Sequence, residues 1–248
     1  MPYSEQTVQW VRPWSDKTFS FTVTRPQDFS FANGEFVTIG LKQEGKLVAR
    51  AYSIVSTADR DYLEFLSIHV PDGPLTSQLS QIKPGDRVWI NNKTTGTLTL
   101  DHVSPGRVLY MLATGTGVAP FVSLVRDPAI FARFETVVLV HSVRTAAELA
   151  YREELEAMDQ PQLHYVPTVT REPFPTTERG SELFRSGLLS QRLGLPPPDP
   201  EQDRVMICGN PQMTREMTRF LKDTGWTLTT PRGLGNFTTE VAFVLHHG

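Results

Sequence analysis

The sequence of 248 residues is poor in cysteine, and Cys208 is the only one. An iron–sulfur cluster normally takes four protein thiolates, and a structural disulfide or a redox dithiol takes two, so none of these can form within the chain. The six histidines show no metal-ligand spacing, since His246 and His247 are adjacent and the others are scattered. We therefore expect no built-in cluster, no disulfide and no metal site.

Long apolar runs and an excess of basic charge are also missing. No uninterrupted apolar stretch reaches the roughly 18 residues of a membrane span, and the N-terminus lacks the basic and apolar segments of a signal peptide. Lys and Arg number 24 against 27 Asp and Glu, and a net charge of −3 argues against a general nucleic-acid binder. The sequence predicts a soluble cytoplasmic protein that binds neither membrane nor nucleic acid.

The pattern of apolar residues divides the chain into two expected domains. Short β-prone runs with turn signals between them predict an N-terminal antiparallel β-barrel over residues 1–101. After the linker at 104–106, continuous apolar runs alternate with helical stretches. This alternation predicts βαβ units and a Rossmann-like parallel α/β sheet over residues 106–248.

Individual elements follow from the same patterns. The strands expected in the first domain are 19–24, 35–40, 47–55, 62–70 and 87–91, and those of the second are 108–113, 136–141, 204–208 and 240–245. The expected helices are 75–79, 120–125, 146–158, 181–193 and 211–224.

A Gly-rich turn directly follows the apolar run 108–113. Gly115 and Gly117 let the backbone turn tightly and admit a phosphate close to its N–H groups, and a helix starting near Pro120 adds its positive N-terminal end. The three-glycine dinucleotide fingerprint is not met, because Pro120 occupies the third position. The turn predicts phosphate binding, and a tight strand-to-helix turn without a ligand is the alternative.

Two segments of the first domain suit a ligand with a phosphate and a flat ring. Within 50–53 (Arg-Ala-Tyr-Ser), the period of a strand places the Arg50 guanidinium and the Tyr52 ring on one face, although an ordinary surface pair has the same pattern. In 70–77, two hydroxyl residues and free N–H groups are available to a phosphate, and an ordinary helix N-cap explains them equally well.

The second domain carries polar and reactive residues where its strands end. Arg144, Arg171 and Arg179 follow or lie near such ends, where ligands bind in open parallel sheets, and guanidinium groups suit bidentate phosphate recognition. Solvated surface charges are the alternative. Cys208 is followed by Gly209 at a third strand end, where it is either a functional thiol or a small core residue.

In their order and spacing, these motifs resemble those of the ferredoxin–NADP+ reductase family over nearly the whole chain. They are Arg-x-Tyr-Ser at 50–53, Val-Pro-Asp-Gly-Pro-Leu-Thr-Ser at 70–77, Gly-Thr-Gly-x-x-Pro at 115–120 and Cys-Gly-x-Pro-x-Met at 208–213. The ending from Glu240 resembles the bacterial subclass, in which an alanine and a short tail stand where plastid enzymes have a terminal tyrosine. The resemblance implies an FAD-binding barrel followed by an NADP-binding domain, and we expect a monomer.

The resemblance also implies roles at the FAD site. Arg50 would hold the pyrophosphate, Tyr52 would stack on the isoalloxazine and Ser53 would hydrogen-bond near flavin N5. The other residues implied at this site line the flavin tail or cradle its phosphates: Ala51, Ser67, Ile68, Val70, Leu75, Thr76 and Ser77.

For NADP(H), the resemblance implies three groups of residues. The turn of Gly115, Thr116 and Gly117 would lie at the pyrophosphate and the flavin edge. Arg144, Arg171 and Arg179 would bind the nucleotide, chiefly its 2′-phosphate. The residues implied where hydride passes are Cys208, Gly209, Glu240 and Ala242. Family members usually have Gly-Arg where this chain has Glu178-Arg179, which sets a negative charge near a phosphate. The tail from Phe243 to Gly248 is expected to gate nicotinamide entry.

The implied reaction is electron transfer between NADPH and ferredoxin or flavodoxin, by hydride transfer between nicotinamide C4 and FAD N5 followed by one-electron steps. Three alternatives stay open: a reductase component supplying an oxygenase or free flavin, a flavin-carrying subunit without its own nicotinamide site, and an NADP-binding dehydrogenase without flavin. Basic residues that would meet an acidic partner protein are Lys17, Lys42, Lys46, Lys83, Lys93 and Arg126.

Overall fold

The computed structural model describes residues 2–242, and its N-terminal part is a six-stranded antiparallel sheet. The strands are β1 (Tyr3–Pro13), β2 (Thr18–Thr24), β3 (Phe36–Gln43), β4 (Lys46–Ser53), β5 (Tyr62–Ile68) and β6 (Arg87–Thr95), in the order β4-β3-β6-β1-β2-β5. A bridge between Ile54 and Phe65 brings the two end strands together, so the sheet curls into the expected barrel-like form. The short helix α1 (Thr76–Leu79) follows β5.

Alternation along the strands builds the interior of this sheet. On β2, Phe19, Phe21 and Val23 point into one apolar cluster, as the pattern predicts. Ser20 points to the other face and accepts a hydrogen bond from Trp14 Nε1 at 3.0 Å.

The C-terminal part is a five-stranded parallel sheet with helices on both faces. Its strands are β7 (Gly106–Thr114), β8 (Phe134–Val143), β9 (Leu163–Val169), β10 (Arg204–Gly209) and β11 (Phe237–Val241), in the order β11-β10-β7-β8-β9. The helices are α2 (Ala119–Val125), α3 (Ala129–Arg133), α4 (Arg152–Ala157), α5 (Gly180–Arg185), α6 (Leu188–Arg192) and α7 (Pro211–Asp223). The two-domain fold class that the pattern predicts is therefore confirmed.

Burial on both faces explains the continuous apolar runs of this sheet. Along β7, Leu109 and Met111 belong to one apolar cluster, whereas Val108, Tyr110 and Leu112 belong to the cluster on the opposite face. Residues 108–113 of β7 are therefore all buried, whichever face their side chains take.

Several elements differ from the predicted ones for local reasons. The strands β1 and β9 were not predicted, because β1 is largely polar and β9 is an edge strand that contains Pro167. The predicted helix 146–158 is interrupted at Tyr151, where φ is +64°, and 181–193 is interrupted at Gly187, where φ is +74°. Strand β11 begins at Phe237, before the predicted start, and residues 243–245 lie outside the described part.

The two sheets share part of their core. Val55, Leu66 and Leu98 from the first part belong to the same buried cluster as Val118 and Phe121 of the second. None of the helices found within residues 2–242 has both the length and the apolar character needed to cross a membrane.

Arg126, which follows α2, ties the two parts together. Its Nη1 donates to Glu64 Oε2 at 2.7 Å and to the Val55 carbonyl at 3.1 Å. Its Nε and Nη2 donate to the Glu154 carboxylate at 2.7 and 2.9 Å, and Tyr151 Oη donates to Glu64 Oε1 at 2.8 Å. The guanidinium is engaged in this interdomain cluster, so it is not the free surface charge that we expected for partner binding.

Candidate active site

Four residues from neighbouring strands stand in register near the carboxyl ends of the parallel sheet. Cys208 pairs with Glu240 on one side and with Ala113 on the other, and Ala113 pairs with His141. Residues in register on adjacent strands lie about 4.8 Å apart, so this row crosses four strands within roughly 15 Å. Two residues of this row, Cys208 and Glu240, were predicted from the sequence as site residues.

Two glycine turns meet directly above this row. A Cβ on Gly117 would lie 2.2 Å from the Cys208 carbonyl oxygen, and a Cβ on Gly209 would lie 2.1 Å from Thr114 Oγ1. Thr114 Oγ1 also accepts a hydrogen bond from Asn210 N at 2.9 Å. The contact leaves no room for a side chain at either glycine, which explains why Gly117 and Gly209 stand at these positions.

His141 supports the first of these turns from below, and sequence reasoning missed it. It is fully buried, and its Nε2–H donates to the Gly115 carbonyl at 3.0 Å, at a residue whose φ is +54°. Tyr165 Oη lies 3.4 Å from Nδ1, the other ring nitrogen. Burial lowers the pKa of His141 to about 4, so the ring is neutral at pH 7 and keeps this donor arrangement. Its position at the end of the apolar run 136–141 was the available signal.

Glu240 connects the row to the first domain. Its Oε1 accepts hydrogen bonds from Thr97 N at 2.5 Å and from Thr97 Oγ1 at 3.2 Å. Burial raises the pKa of the Glu240 carboxyl, and the bonds from Thr97 oppose that shift. The loop that follows β6 is thereby held against the end of β11.

Cys208 is 1% exposed and lies beside Glu240 across the strand pair. Burial raises the pKa of its thiol well above the usual range, and the negative charge of Glu240 acts in the same direction. The thiol therefore stays protonated, which excludes thiolate nucleophilic chemistry at neutral pH. Ala242 N donates to the Gly209 carbonyl at 2.9 Å, so the backbone after β11 stays next to the second glycine turn.

The 50–53 segment lies on β4, an end strand of the antiparallel sheet. Arg50 is exposed and donates from Nη1 to the neighbouring Ala49 carbonyl at 2.7 Å. Tyr52 is 9% exposed, its Oη lies 3.2 Å from Ser67 Oγ on β5, and burial raises the pKa of its phenol. Two predicted site residues, Tyr52 and Ser67, are thus brought into contact from different strands. Ser53 is half-buried at the end of β4.

The 70–77 segment forms a compact turn that leads into α1, whose first two residues are Thr76 and Ser77. Thr76 Oγ1 donates to the Val70 carbonyl at 3.2 Å, and Ser77 Oγ donates to the Gly73 carbonyl at 2.7 Å. Leu75 is buried, and no side chain caps this helix. The N-cap alternative is wrong here, because both hydroxyls bond to carbonyls of their own turn.

Of the three arginines predicted at the nucleotide, Arg144 directly follows β8 and Arg171 lies two residues after β9. Arg171 N donates to the Arg144 carbonyl at 2.9 Å. Arg179 lies just before α5, whose first residue, Gly180, donates from N to Ser142 Oγ on β8 at 3.0 Å. All three side chains are exposed, and within residues 2–242 their guanidinium groups form no ion pair. Their charges are available to an anion.

The site has the donor set that FAD and a dinucleotide phosphate need. The Arg50 guanidinium has no acidic partner within residues 2–242, and Gly115 and Thr116 of the first glycine turn are only half-buried. No cluster of three or more His, Cys, Asp or Glu suited to a metal is found among these residues. These residues fit an organic cofactor with phosphate groups.

Comparison with known proteins assigns both parts of the chain. Residues 12–97 match the oxidoreductase FAD-binding domain family, and residues 111–219 match the oxidoreductase NAD-binding domain family. These matches and the geometry above define the chain as a two-domain flavin- and nicotinamide-nucleotide-dependent oxidoreductase.

Individual relatives show to which family within this class the chain belongs. The chain is 45% identical to the ferredoxin–NADP reductase of Pseudomonas aeruginosa over 98% of each chain, and 44% identical to the flavodoxin/ferredoxin–NADP reductase of Rhodobacter capsulatus over 96% of this chain and 93% of the other. A crystal structure of a ferredoxin NADP+ reductase from Neisseria gonorrhoeae with bound FAD and NADP superposes with a TM-score of 0.92, at 32% identity, over 98% of this chain and 100% of the other. The chain belongs to the ferredoxin–NADP reductase family, as its motifs predicted.

Proposed function

We propose that this protein moves electrons between NADPH and a ferredoxin or flavodoxin, with FAD held between the two sheets. The observation that carries the proposal is the row Ala113, Cys208 and Glu240, which stands under two glycine turns and is joined to the first domain through Thr97. This arrangement places the carboxyl edge of the nucleotide-binding sheet against the flavin-binding sheet. Relatives at 43–46% identity are ferredoxin–NADP or flavodoxin/ferredoxin–NADP reductases.

The FAD site is assigned to the end strand β4 and the segments next to it. Arg50 supplies a charge for the pyrophosphate, Tyr52 an aromatic ring and Ser53 a hydroxyl, while Ala51 exposes backbone between them. The backbone of the chain near the end of β5 and the turn before α1 would enclose the rest, through Ser67, Ile68, Val70, Leu75, Thr76 and Ser77. Bound FAD supplies the ability to take a hydride from a nicotinamide and to release the electrons singly.

The NADPH site is assigned across the carboxyl ends of the parallel sheet. Cys208 is on β10, and the strands that lead to Arg144 and Arg171 are two and three positions away in the sheet order. At about 4.8 Å per strand, the arginines start roughly 10 to 15 Å from the thiol. An extended dinucleotide spans this distance. We assign its nicotinamide to Cys208 and its pyrophosphate to the turn 115–117. Its 2′-phosphate is assigned to Arg144, Arg171 and Arg179.

The chain orients and shields the reacting groups, and it forms no covalent bond to them. The Cys208 thiol is buried and protonated, so it adds a small, uncharged group next to Gly209. Glu240 is bonded to Thr97, so its carboxyl joins the end of β11 to the loop after β6, and we assign it to the flavin edge. Ala242 leaves space for a nicotinamide, and the proposed gate formed by Phe243 to Gly248 lies outside the described residues.

The experiment that tests this function is anaerobic titration of the purified flavoprotein. NADPH is expected to bleach the flavin spectrum far better than NADH, and added ferredoxin or flavodoxin should then reoxidise the flavin rapidly. Slow reoxidation by both proteins, with rapid reoxidation by free flavin or an oxygenase component, would favour the alternative reductase component. A flavin that neither nucleotide reduces would overturn the proposal. The monomeric state and the cytoplasmic location stay predictions, and gel filtration tests the first.

A further inference from the structure

The phosphate-binding edge contains one feature that the proposed function does not use. Glu178 stands directly before Arg179, and its Oε1 accepts a hydrogen bond from Nη2 of Arg192 at 2.5 Å. Arg192 is the last residue of α6, so the pair joins the approach to α5 with the end of the next helix. The pairing lowers the pKa of the Glu178 carboxyl, which is ionised at neutral pH.

The other carboxylates at this edge are bonded to backbone N–H groups. Glu148 Oε2 accepts from the N–H groups of Arg144 and Thr145, each at 3.0 Å, and Glu172 Oε1 accepts from Ala146 N at 2.7 Å. Glu178 Oε2 likewise accepts from Thr177 N at 3.2 Å, but its Oε1 is in addition held by a side-chain cation on another helix. Glu178 is also the carboxylate that directly precedes Arg179 in the chain.

We propose that Arg192 sets the preference for NADPH over NADH by holding the Glu178 carboxylate away from Arg179. The inference rests on the proposed function, in which Arg179 receives the 2′-phosphate. Without Arg192, the carboxylate at 178 would pair with Arg179 or repel the phosphate, and either change weakens phosphate binding. NADH lacks this phosphate, so its binding is expected to be indifferent to the pair.

The Glu178–Arg192 pair has little value for stability. Its two side chains are 39% and 43% exposed, and exposed ion pairs contribute little to folding. The effect of the pair is therefore expected in ligand selection, and a loss of fold is not expected when it is removed.

A double-mutant cycle on the FAD-loaded protein tests the inference. Arg192→Ala is expected to raise the KM for NADPH about five-fold, because an unpaired charge next to the phosphate site weakens binding. The kcat and the KM for NADH should stay unchanged. Glu178→Ala added to Arg192→Ala should restore the NADPH value to within about two-fold of the parent. The matched control is Arg185→Ala, which removes another exposed arginine, on α5, whose carboxylate partner is Glu182 at 4.0 Å.

Direct binding supplies a readout that does not depend on turnover. Calorimetry with adenosine 2′,5′-bisphosphate should show the same weakening in Arg192→Ala and the same recovery in the double variant, while 5′-AMP binds all variants alike. Equal losses for both nucleotides, or no recovery in the double variant, would overturn the inference.

Arg179→Ala separates this inference from the proposed function. If Arg179→Ala weakens bisphosphate binding but Arg192→Ala does not, the role of Arg192 is wrong and the phosphate site stands. If Arg179→Ala has no effect, the assignment of the phosphate site itself is wrong.

Discussion

In the antiparallel sheet, the residues assigned to FAD come from two neighbouring segments, 50–53 and 67–77, whereas in the parallel sheet the site is assembled from strand ends spread between Ala113 and Glu240. The first arrangement is largely local, and its best-defined tertiary contact joins Tyr52 to Ser67. The second depends on register between strands and on backbone contact between two turns. The parallel region is therefore expected to tolerate much less change than the antiparallel one.

The largest effect is expected where the two regions are joined. Arg126→Ala leaves the Glu64 carboxylate, whose side chain is 8% exposed, without its cation, and breaking a buried pair costs about 3–5 kcal/mol. Urea unfolding should show this loss and separate the transitions of the two domains. Arg152→Ala is the control, because its pair with Glu156 is exposed at 39% and 45% and contributes at most about 0.5 kcal/mol. Equal losses in both variants would contradict the interdomain role.

The next effect concerns the contact between the glycine turns. Gly117→Ala places a Cβ 2.2 Å from a backbone oxygen, so the turn or β10 must move, at a cost of about 2 kcal/mol. Flavin reduction by NADPH should slow at least about ten-fold, since small displacements of positioning groups have effects of this size. Gly233→Ala is the control, because nothing lies within 4 Å of the added Cβ. Normal reduction in Gly117→Ala would show that the turn is not part of the nucleotide site.

His141 predicts a pH dependence of the parallel region. The buried ring has a pKa of about 4, so between that value and the ordinary 6.5 the unfolded chain binds a proton that the folded chain does not. This contribution to stability is fully present above pH 6.5 and falls with decreasing pH, by about 1 kcal/mol per pH unit. Denaturant unfolding from pH 7 to pH 5 checks it, and His141→Gln should remove that part of the slope. An unchanged slope in the variant would contradict the assignment.

The smallest effect is expected in the antiparallel region. Tyr52→Phe removes the contact between Tyr52 Oη and Ser67 Oγ at 3.2 Å, and one such hydrogen bond contributes about 1 kcal/mol or less. FAD should remain bound, because the aromatic ring is kept. Urea unfolding compares Tyr52→Phe and Ser67→Ala with the parent, and a calorimetric titration of the apoprotein with FAD checks that the cofactor still binds. A loss of unfolding free energy larger than that of Gly117→Ala would reverse the expected ranking of the two regions.

The site residues that were identified from the sequence belong to short motifs, in which the local geometry of the chain is enough to place the functional groups. A Gly-rich turn after a buried strand, or an arginine two residues before a tyrosine on a strand, places its groups without any distant partner. His141 and Thr97 could not be found in this way, because their functional partners are Gly115 and Glu240, which are distant in sequence. Glu178 was noted as a departure from the family pattern, but its partner Arg192 became visible only in the folded chain.

The sequence determined the class of fold, the order of its motifs and the family, because apolar periodicity and turn-forming residues act over a few neighbouring positions. The tertiary structure decided how the strand ends line up, which carboxylates are neutralised, and that Arg126 joins two domains when a surface charge was expected. These outcomes depend on burial and on register between distant strands. Both are properties of the packed sheets, and no local segment of the chain specifies them alone.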